Sequence, residues 1–503
     1  MKRIGYLALA ATTLVGFTSV TQKTLSNEEA KKSANVITSE RLKDFLTFIA
    51  SDALQGRDTP SPGLDAAANF IAFNLKSWGA KPAGDNGTYF QTMKLERSSI
   101  DNSASNITID DESFSFDKDL LLMGLNESKM SGEIIKVSNN GQAVNVKNKI
   151  VLYEVKTSFQ KDRQAYMKDM QFMESLFKEG PMAIIQSTDY TGASWNSFLD
   201  GFRAFGGGFR PVAPAPDGQP RVVGGLRITA SLDTFNRLAK KVGSIGKIAV
   251  HVNKEFAETR NVVATVEGSD PKLKTEYVAI GAHYDHVGMN PNLPGPDKIY
   301  NGADDDGSGT VSVLNIAEAT CKSPTKPKRS MLFVWHCGEE KGLWGSDYYN
   351  KNLTVPKGSI VAQLNIDMIG RSKKEGNKDP RNKSLTGPNA IYVIGTTMMS
   401  TRLGEIVHGV NSKYLGLTYD KQYDDPKDPN QFFYRSDHYN YAKNGIPICF
   451  WFDGEHEDYH QVGDEVSKID FQKMEKIART VFVTGMTVAN EPTRPPVDKP
   501  LNR

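Results

Sequence analysis

Apolar runs alternate with helical patterns after residue 260, and this alternation is the clearest organising feature of the chain. The helical patterns cover 311–320 and a long C-terminal segment starting near Phe471. Buried strands that alternate with helices are typical of an α/β layer fold. The predicted strands are 262–266, 277–282, 330–335, 360–366 and 446–451.

The N-terminal third has a different pattern. Apolar residues at helical spacing predict one helix around 42–49 and a second around 67–78, with the turn-rich stretch Gln55 to Gly63 between them. From 113 to 256 the pattern changes to short β-like runs separated by polar loops, with one helical stretch at 163–178. We interpret 113–256 as an inserted β-rich domain, and its sequence shows no cluster of ligand-type residues.

The first residues have the layout of a secretory signal peptide. Lys2 and Arg3 precede an apolar stretch at 4–17, after which the chain becomes polar. A membrane anchor is the alternative, but the stretch is short for a span of about 20 residues. We therefore expect a leader at 1–25, export to the periplasm or the outside, and no stable membrane insertion after the leader is removed.

Composition narrows the range of functions. The chain has 503 residues, enough for two domains, and its 61 Lys and Arg nearly balance its 59 Asp and Glu, for a net charge of +2. A chain with so little excess positive charge is not expected to bind nucleic acid through electrostatic attraction. The cysteines, Cys321, Cys337 and Cys449, are odd in number and predict buried thiols rather than a disulfide framework. Nothing in the pattern specifies an oligomeric state.

Side chains suited to metal binding follow several of the predicted strands directly. His283 and Asp285 come after the strand ending at 282, and Asp367 comes after the strand ending at 366. Ligand sites of open α/β sheets form at the carboxyl edge of the strands. Asp285 is placed to accept the second ring N–H of His283, which would fix the tautomer. A histidine at a strand end is also common without any metal.

The loop that contains Asp304, Asp305 and Asp306 holds three consecutive acids before a predicted helix. Like charges at this density need solvent or a cation. A plain surface turn or a calcium loop is an alternative, although the Glu of an EF-hand is missing downstream. The sequence therefore marks a candidate cation site without fixing which acid would bind.

Adjacent carboxylates and a later histidine complete the set. Glu339 and Glu340 follow the strand 330–335, and in a turn one can bind a metal while the other faces a water as general base. A solvated Glu pair is the usual alternative. His460 follows the strand 446–451 and is unremarkable by itself.

Five segments carry these candidates, and they contain His283, Asp304 to Asp306, Glu339 with Glu340, Asp367 and His460 in that order. Together they closely resemble the motifs of the co-catalytic di-zinc aminopeptidase family, whose relatives include glutamate carboxypeptidases, glutaminyl cyclases and the transferrin receptor ectodomain. Segments 49–84 and 262–464 look like its catalytic domain. The resemblance implies a three-layer αβα zinc-exopeptidase fold with an inserted protease-associated domain. Between the leader at 1–25 and a proline-rich tail at 491–503 that we expect to be flexible, it divides the chain into catalytic helices at 38–112, the insert at 113–256 and the catalytic domain at 257–490.

The same resemblance implies roles for the candidate residues. His283 and Asp367 would hold one zinc, and Glu340 and His460 the other, with Asp304 as the bridge. A cis peptide at Asp305 would aim Asp304. Glu339 would be the general base and Asp285 the partner of His283. Two Zn²⁺ per chain follow, and Mn²⁺ or Co²⁺ fit the same donors.

The resemblance predicts an aminopeptidase that acts on peptide substrates. A carboxypeptidase of the glutamate carboxypeptidase type is an alternative, in which Arg435 would recognise a substrate carboxylate instead of forming a structural salt bridge. Glutaminyl cyclase, an acyltransferase with one zinc, and a binding module without ligands are further alternatives. Both should show a degraded metal site, whereas all five ligands are present here.

Overall fold

A computed structural model describes residues 27–116, 118–139, 144–157, 161–206, 208–212, 225–499 and 501. The predicted leader at 1–25 lies outside the described residues. Within these ranges, no helix combines the length and the apolar character needed to cross a membrane.

Helices account for much of the described chain, and most have an N-cap of the expected kind. The Ser61 side chain accepts a hydrogen bond from the Leu64 N–H at the start of one helix, and Asp470 does the same for the last helix. The helices are α1 (Asn27–Ser33), α2 (Ser39–Ile49), α3 (Pro62–Ser77), α4 (Arg163–Phe177), α5 (Gly192–Gly206), α6 (Leu232–Ala239), α7 (Gly309–Lys322), α8 (Trp344–Lys351), α9 (Thr401–Lys413), α10 (His438–Ala442) and α11 (Phe471–Asn490).

Most strands between residues 100 and 250 have six residues or fewer. They are β1 (Lys81–Pro82), β2 (Phe90–Ile100), β3 (Asn106–Ile109), β4 (Glu112–Ser115), β5 (Leu120–Met123), β6 (Ser128–Val137), β7 (Ile150–Tyr153), β8 (Ala183–Ser187), β9 (Arg210–Pro211), β10 (Leu226–Ala230), β11 (Ile245–Val250), β12 (Val252–Val266), β13 (Tyr277–His283), β14 (Ser330–His336), β15 (Ile360–Ile366), β16 (Ala390–Ile394), β17 (Thr418–Asp420) and β18 (Ile448–Phe452).

The chain divides into two compact units. The larger comprises residues 1–93 and 259–503, and the smaller comprises 94–258. The smaller unit begins earlier than the predicted start at 113. The reason is strand pairing, because β3 and β4 pair with each other and β3 pairs with β11.

The larger unit contains a mixed sheet in which β17, β16, β18, β15, β13, β14 and β12 lie side by side in that order. Strands β18, β15, β13 and β14 are mutually parallel. β12 is antiparallel to β14, and β16 is antiparallel to β18. All five strands predicted for this part of the chain are present.

Helices cover both faces of this sheet, as the predicted three-layer fold requires. On one face, α7 and α11 pack against β13, and α11 approaches closely at Gly485, whose added Cβ would lie 3.0 Å from Ile280 Cδ1. On the other face, α8 and α10 contribute Tyr349 and Tyr441 to an apolar core. The mixed α/β class is confirmed.

The C-terminal segment differs from the flexible tail that was expected from 491 onward. Arg494 forms an ion pair with Glu276 at 2.8 Å, and the Asp498 carboxylate accepts the Thr401 N–H at 2.9 Å. These polar contacts hold residues 491–499 against the rest of the larger unit.

The smaller unit has its own sheet, in the order β4-β3-β11-β6-β7-β8-β10-β5. Its core is built from alternate side chains of these strands, such as Ile107, Leu152 and Ile185, together with Phe235 of α6. Among the described residues, the groups able to hold a metal all lie in the larger unit.

Candidate metal centre

The carboxyl ends of the parallel strands carry most of the predicted ligands. His283 is the last residue of β13, and Asp367 directly follows β15. Glu340 lies in the turn after β14, and His460 lies in the loop after β18. Because parallel strands end at one edge of the sheet, side chains from distant parts of the sequence meet there.

The first donor group consists of the buried residues His283, Asp305 and Asp367. The His283 Nε2 atom lies 3.2 Å from Asp305 Oδ1 and 3.7 Å from Asp367 Oδ1. On the other side of the ring, Nδ1 lies 3.1 Å from the Asp285 carbonyl oxygen. A carbonyl only accepts, so the neutral ring carries its proton on Nδ1 and presents the Nε2 lone pair to the group.

The second donor group consists of His286, Asp305, Glu340 and His460. The His460 Nε2 atom lies 3.1 Å from Asp305 Oδ2 and 3.0 Å from Glu340 Oε2. The other Glu340 oxygen, Oε1, lies 2.7 Å from His286 Nδ1. Asp305 belongs to both groups, with one carboxylate oxygen facing each.

This geometry corrects the prediction for Asp304. Its Oδ1 accepts the Gly370 N–H at 2.6 Å, its Oδ2 lies 3.3 Å from His456 Nε2, and it belongs to neither donor group. Asp305 occupies the shared position instead. The non-proline cis bond joins Asp305 to Asp306, one residue later than predicted. Consecutive side chains in this non-helical turn point to different surroundings, so spacing alone could not select the acid.

Asp285 lies beside both the histidine and the predicted base. Its Oδ1 lies 3.6 Å from His283 Nδ1 and accepts the Glu339 N–H at 3.2 Å. Its Oδ2 accepts the Thr59 hydroxyl at 3.1 Å, and the same hydroxyl accepts the Gly338 N–H at 3.2 Å. One buried carboxylate therefore links the turn after β13 to the turn after β14.

Glu339 lies next to the first donor group, with Oε2 3.9 Å from His283 Nε2. Burial is the largest influence on this carboxyl and raises its pKa well above the ordinary value. The positive charge that His283 can carry opposes this effect, while the negative charges of Asp367 and Glu340 add to it. A carboxylate with a raised pKa is suited to accept a proton near neutral pH.

The acids of the site strongly favour positive charge at the histidines. Burial lowers the pKa of His460, but the close carboxylates of Asp305 and Glu340 outweigh burial and raise the pKa to about 10. Burial also opposes a proton on His283, yet neighbouring Glu339 and Asp367 raise its pKa well above the usual value. A divalent cation would satisfy the same carboxylates without protonating the rings.

Donor type and spacing fit zinc. Imidazole nitrogens and carboxylate oxygens are ordinary zinc ligands. Donors at about 2.0–2.1 Å from one tetrahedral zinc lie about 3.3 Å from each other. The observed separations within the two groups, 2.7 to 3.8 Å, bracket that value. Among the described atoms, His460 Nε2 and Glu340 Oε1 are buried without a hydrogen-bond partner, as unliganded metal donors would be.

Two residues of the site escaped the sequence prediction. His286 stood three positions after His283 and gave no separate signal. Arg57 lay in the turn-rich stretch before α3 and is fully buried. Its guanidinium donates to the carbonyls of Tyr284, Asn301 and Gly302 at 2.7 to 3.0 Å, and to that of Ile49. A fixed cation thus supports the backbones of the two loops that carry the histidines and Asp305.

A small pocket opens beside the first donor group. One part of its lining is apolar and consists of Met368, Phe432, Phe450 and Phe452, with Tyr459 near His460, and the rest is formed by charged and polar side chains that include the first donor group.

Arg435 also lines this pocket, where it forms an ion pair with Glu455 at 2.7 Å and lies over the Phe432 ring at 4.7 Å. Two roles were considered for Arg435, recognition of a substrate carboxylate and a structural salt bridge. The structure contains the salt bridge.

Comparison with known proteins gives one family match. Residues 261–484 match the model of peptidase family M28. Leucine aminopeptidase 1 of Trichophyton rubrum is 27% identical in an alignment of 272 residues that covers 52% of this chain and 65% of that protein. Aminopeptidase Y of Saccharomyces cerevisiae is 27% identical in an alignment of 285 residues that covers 51% of this chain and 47% of that protein.

The chain thus spans less than two thirds of the length of these curated relatives. Among solved structures, the aminopeptidase from Aneurinibacillus sp. strain AM-1 is 17% identical with a TM-score of 0.48, covering 95% of this chain and 99% of that one. The family match agrees with the resemblance seen in the sequence.

Proposed function

Since residues 261–484 match the model of peptidase family M28, we propose that the chain is a zinc-dependent aminopeptidase with two zinc ions per chain. The observation that carries the proposal is the shared carboxylate of Asp305, which faces both donor groups with Glu339 beside the first. The names of the relatives, leucine aminopeptidase and aminopeptidase Y, support this reaction class. Manganese or cobalt would fit the same donors.

The residues of the site would divide the work. His283 and Asp367 would hold one ion, Glu340 and His460 the other, and Asp305 would bridge them. When bound, the pair of ions would polarise the scissile carbonyl and activate a water. Glu339 would take the proton of that water and pass it to the departing amine. Asp285 would keep the His283 ring and the Glu339 backbone in place.

Tyr459 is placed to assist at the substrate carbonyl. Its ring stacks on His460 at 4.0 Å between centroids, and the side chain lines the pocket. Burial is the main reason that its pKa is raised, so the hydroxyl stays protonated. A protonated phenol can donate a hydrogen bond to oxygen that gains negative charge as the peptide bond is attacked.

The charges around the pocket favour the amino end of a peptide. Glu339 and Asp367 line it and can attract a substrate ammonium group. Arg435 is paired with Glu455, so the cation nearest the pocket is already neutralised. This pairing argues against recognition of a substrate carboxylate. The lining of Met368 and phenylalanines would accept an apolar first side chain.

Glutaminyl cyclase chemistry is not favoured, because both donor groups are complete.

We further propose that the segment 1–25 directs export and that residues 94–258 form a protease-associated domain. The role of this domain would be in substrate access.

Peptides with free or blocked ends test the function. Purified protein, stripped of metal and reloaded with zinc, should release the first residue from Leu- and Phe-initiated peptides. It should leave N-acetylated versions of the same peptides intact. Elemental analysis should give about two zinc ions per chain. Cleavage that requires a free carboxyl end, or no hydrolysis with zinc bound, would overturn the proposal.

A further inference from the structure

The two donor groups differ in the number of protein ligands. The first offers three side chains, and the second offers four because it includes His286. Three protein ligands with one open position are typical of catalytic zinc sites, whereas four protein ligands close the coordination sphere. Whether His286 binds the metal therefore decides whether the second position is closed while the first stays open.

The His286 imidazole has the properties of a ligand. It is fully buried, and both of its ring nitrogens lack a hydrogen-bond partner among the described residues. Its Nδ1 atom lies 2.7 Å from Glu340 Oε1 and 3.8 Å from Asp305 Oδ2, and its ring meets that of His460 at 72°. Buried polar groups normally have a partner, and this imidazole faces two carboxylates and one histidine without a hydrogen bond of good geometry. A cation bound by all four side chains would supply the missing partner.

The position of the ring is fixed by its neighbours. Gly302 packs directly against it, because a Cβ at this glycine would fall 2.6 Å from His286 Cγ and Cδ2. The His286 backbone N–H donates to the Arg57 carbonyl at 3.2 Å, and the Arg57 guanidinium in turn holds the Gly302 carbonyl at 3.0 Å. The same buried residue thus anchors both sides of the imidazole, as preorganised ligands require.

We propose that His286 is the fourth protein ligand of the second zinc, which makes that position a closed site of two imidazoles and two carboxylates. The inference rests on the proposed two-zinc function. The first position, at His283, then keeps the open coordination site, beside Glu339. The two ions would bind with unequal affinity, and the ion at the second position would be the last one lost to a chelator.

X-ray absorption at the zinc edge tests the ligand set in the wild-type protein. Metal-free chain loaded with one equivalent of zinc should show two imidazoles per zinc, from His286 and His460. A single imidazole per zinc would overturn the assignment, because the rival roles of His286 leave only His460 in the second group and only His283 in the first.

Variants test the same point in solution. His286→Ala should weaken the tighter zinc by more than about 100-fold in a competitive chelator titration, beyond the 10–100-fold typical of losing an outer hydrogen bond. His286→Asn keeps a hydrogen-bond donor near Glu340 but is a poor zinc ligand, so it should behave like His286→Ala. Zinc retention by His286→Asn at the wild-type level would overturn the proposal.

His251→Ala is the matched control, since His251 is an exposed histidine of the smaller unit paired with Glu127, and it should leave zinc binding unchanged. The two levels of inference fail separately. A protein that releases N-terminal residues but binds its tighter zinc through one imidazole would refute only the role of His286. A protein that binds no zinc would refute the proposed function itself.

Discussion

The neighbouring carboxylates Glu339 and Glu340 face different surroundings, and this difference predicts different defects. Glu339→Gln should lower kcat by about 10²–10⁴-fold, because it removes the proton acceptor while the donor groups remain complete. Glu340→Gln should instead lose one zinc, because Glu340 contacts both histidines of the second group. Activity assays paired with elemental analysis check both variants. Normal turnover by Glu339→Gln would remove it from the mechanism.

The Thr59 hydroxyl supplies the second contact that holds Asp285 in place. Thr59→Val leaves the buried Asp285 Oδ2 and the Gly338 N–H without this partner, and should lower kcat by about 10–100-fold with a smaller change in KM. Thr59→Ser keeps the hydroxyl and should retain activity.

Ser61→Ala is the control for the Thr59 variants, because Ser61 caps α3 only two positions away and its side chain bonds the Leu64 N–H. It should cost about 1 kcal/mol of stability and leave kcat unchanged. Equal kcat values for Thr59→Val and Ser61→Ala would show that Thr59 acts only through the fold.

At the residue scale, the sequence did not predict which of the three consecutive acids, Asp304 to Asp306, faces the metal site. The strand ends were recognisable because apolar runs precede His283 and Asp367. The turn at 303–308 has no such pattern, and which acid faces the site depends on backbone angles that residue types do not specify. His286 was missed for a related reason, since His283, three positions earlier, already supplied the histidine expected after this strand.

At the scale of elements, the strands that carry ligands were predictable and the edge strands were not. Strands β13, β14 and β15 are buried on both faces and appear as continuous apolar runs. β17 has three residues, two of them half-buried and one exposed, so its pattern does not stand out from a loop. The start of the smaller unit was also missed, because it depends on a pairing between β3 and the distant β11.

Helix α11 depends on Gly485 to lie close to the sheet. A Cβ there would lie 3.0 Å from Ile280 Cδ1 and 3.2 Å from Met331 Cε, so Gly485→Leu should destabilise the larger unit by about 1–3 kcal/mol through overpacking. Gly409→Ala in α9 is the opposite case. An added Cβ meets nothing within 4 Å, and the alanine should stabilise by up to about 1 kcal/mol. Denaturant unfolding of both variants checks the signs.

His438 of α10 is buried against β18, and its titration predicts that stability depends on pH. His438 stacks on Phe450 at 4.4 Å, and burial lowers its pKa to about 4 from 6.5. The folded state therefore resists a proton that the unfolded state accepts, and stability present above pH 6.5 is lost as the pH falls toward 4. Linkage gives a loss of about 2 kcal/mol between pH 7.5 and pH 5.

Denaturant unfolding at these two pH values checks the dependence. His438→Gln can still donate a hydrogen bond but does not titrate, so it should show a loss smaller by about the same 2 kcal/mol. An unchanged difference between the two pH values in this variant would contradict the assignment to His438.

At the scale of the whole molecule, the division into two units predicts a selective effect of metal. Both donor groups lie in the unit of residues 1–93 and 259–503. Ligand that binds only the folded state stabilises it, by about 2.7 kcal/mol at one hundred times Kd. Calorimetry should therefore show one unfolding transition that moves up with zinc and down with chelator, and a second, from residues 94–258, that does not move. A shift of both transitions together would contradict this separation.

The groups around the candidate centre are scattered from Arg57, ahead of the smaller unit, to His460 and Asp464 near the end of the larger one. A ribosome delivers them in that order, so a growing chain has His283 and Asp305 long before it has His460. Until residue 464 is available, the loop of Asp305 lacks the carboxylate that receives its backbone N–H. The second donor group, and the carboxylate that supports the loop of Asp305, would consequently be completed only after residues 460–464 have been synthesised.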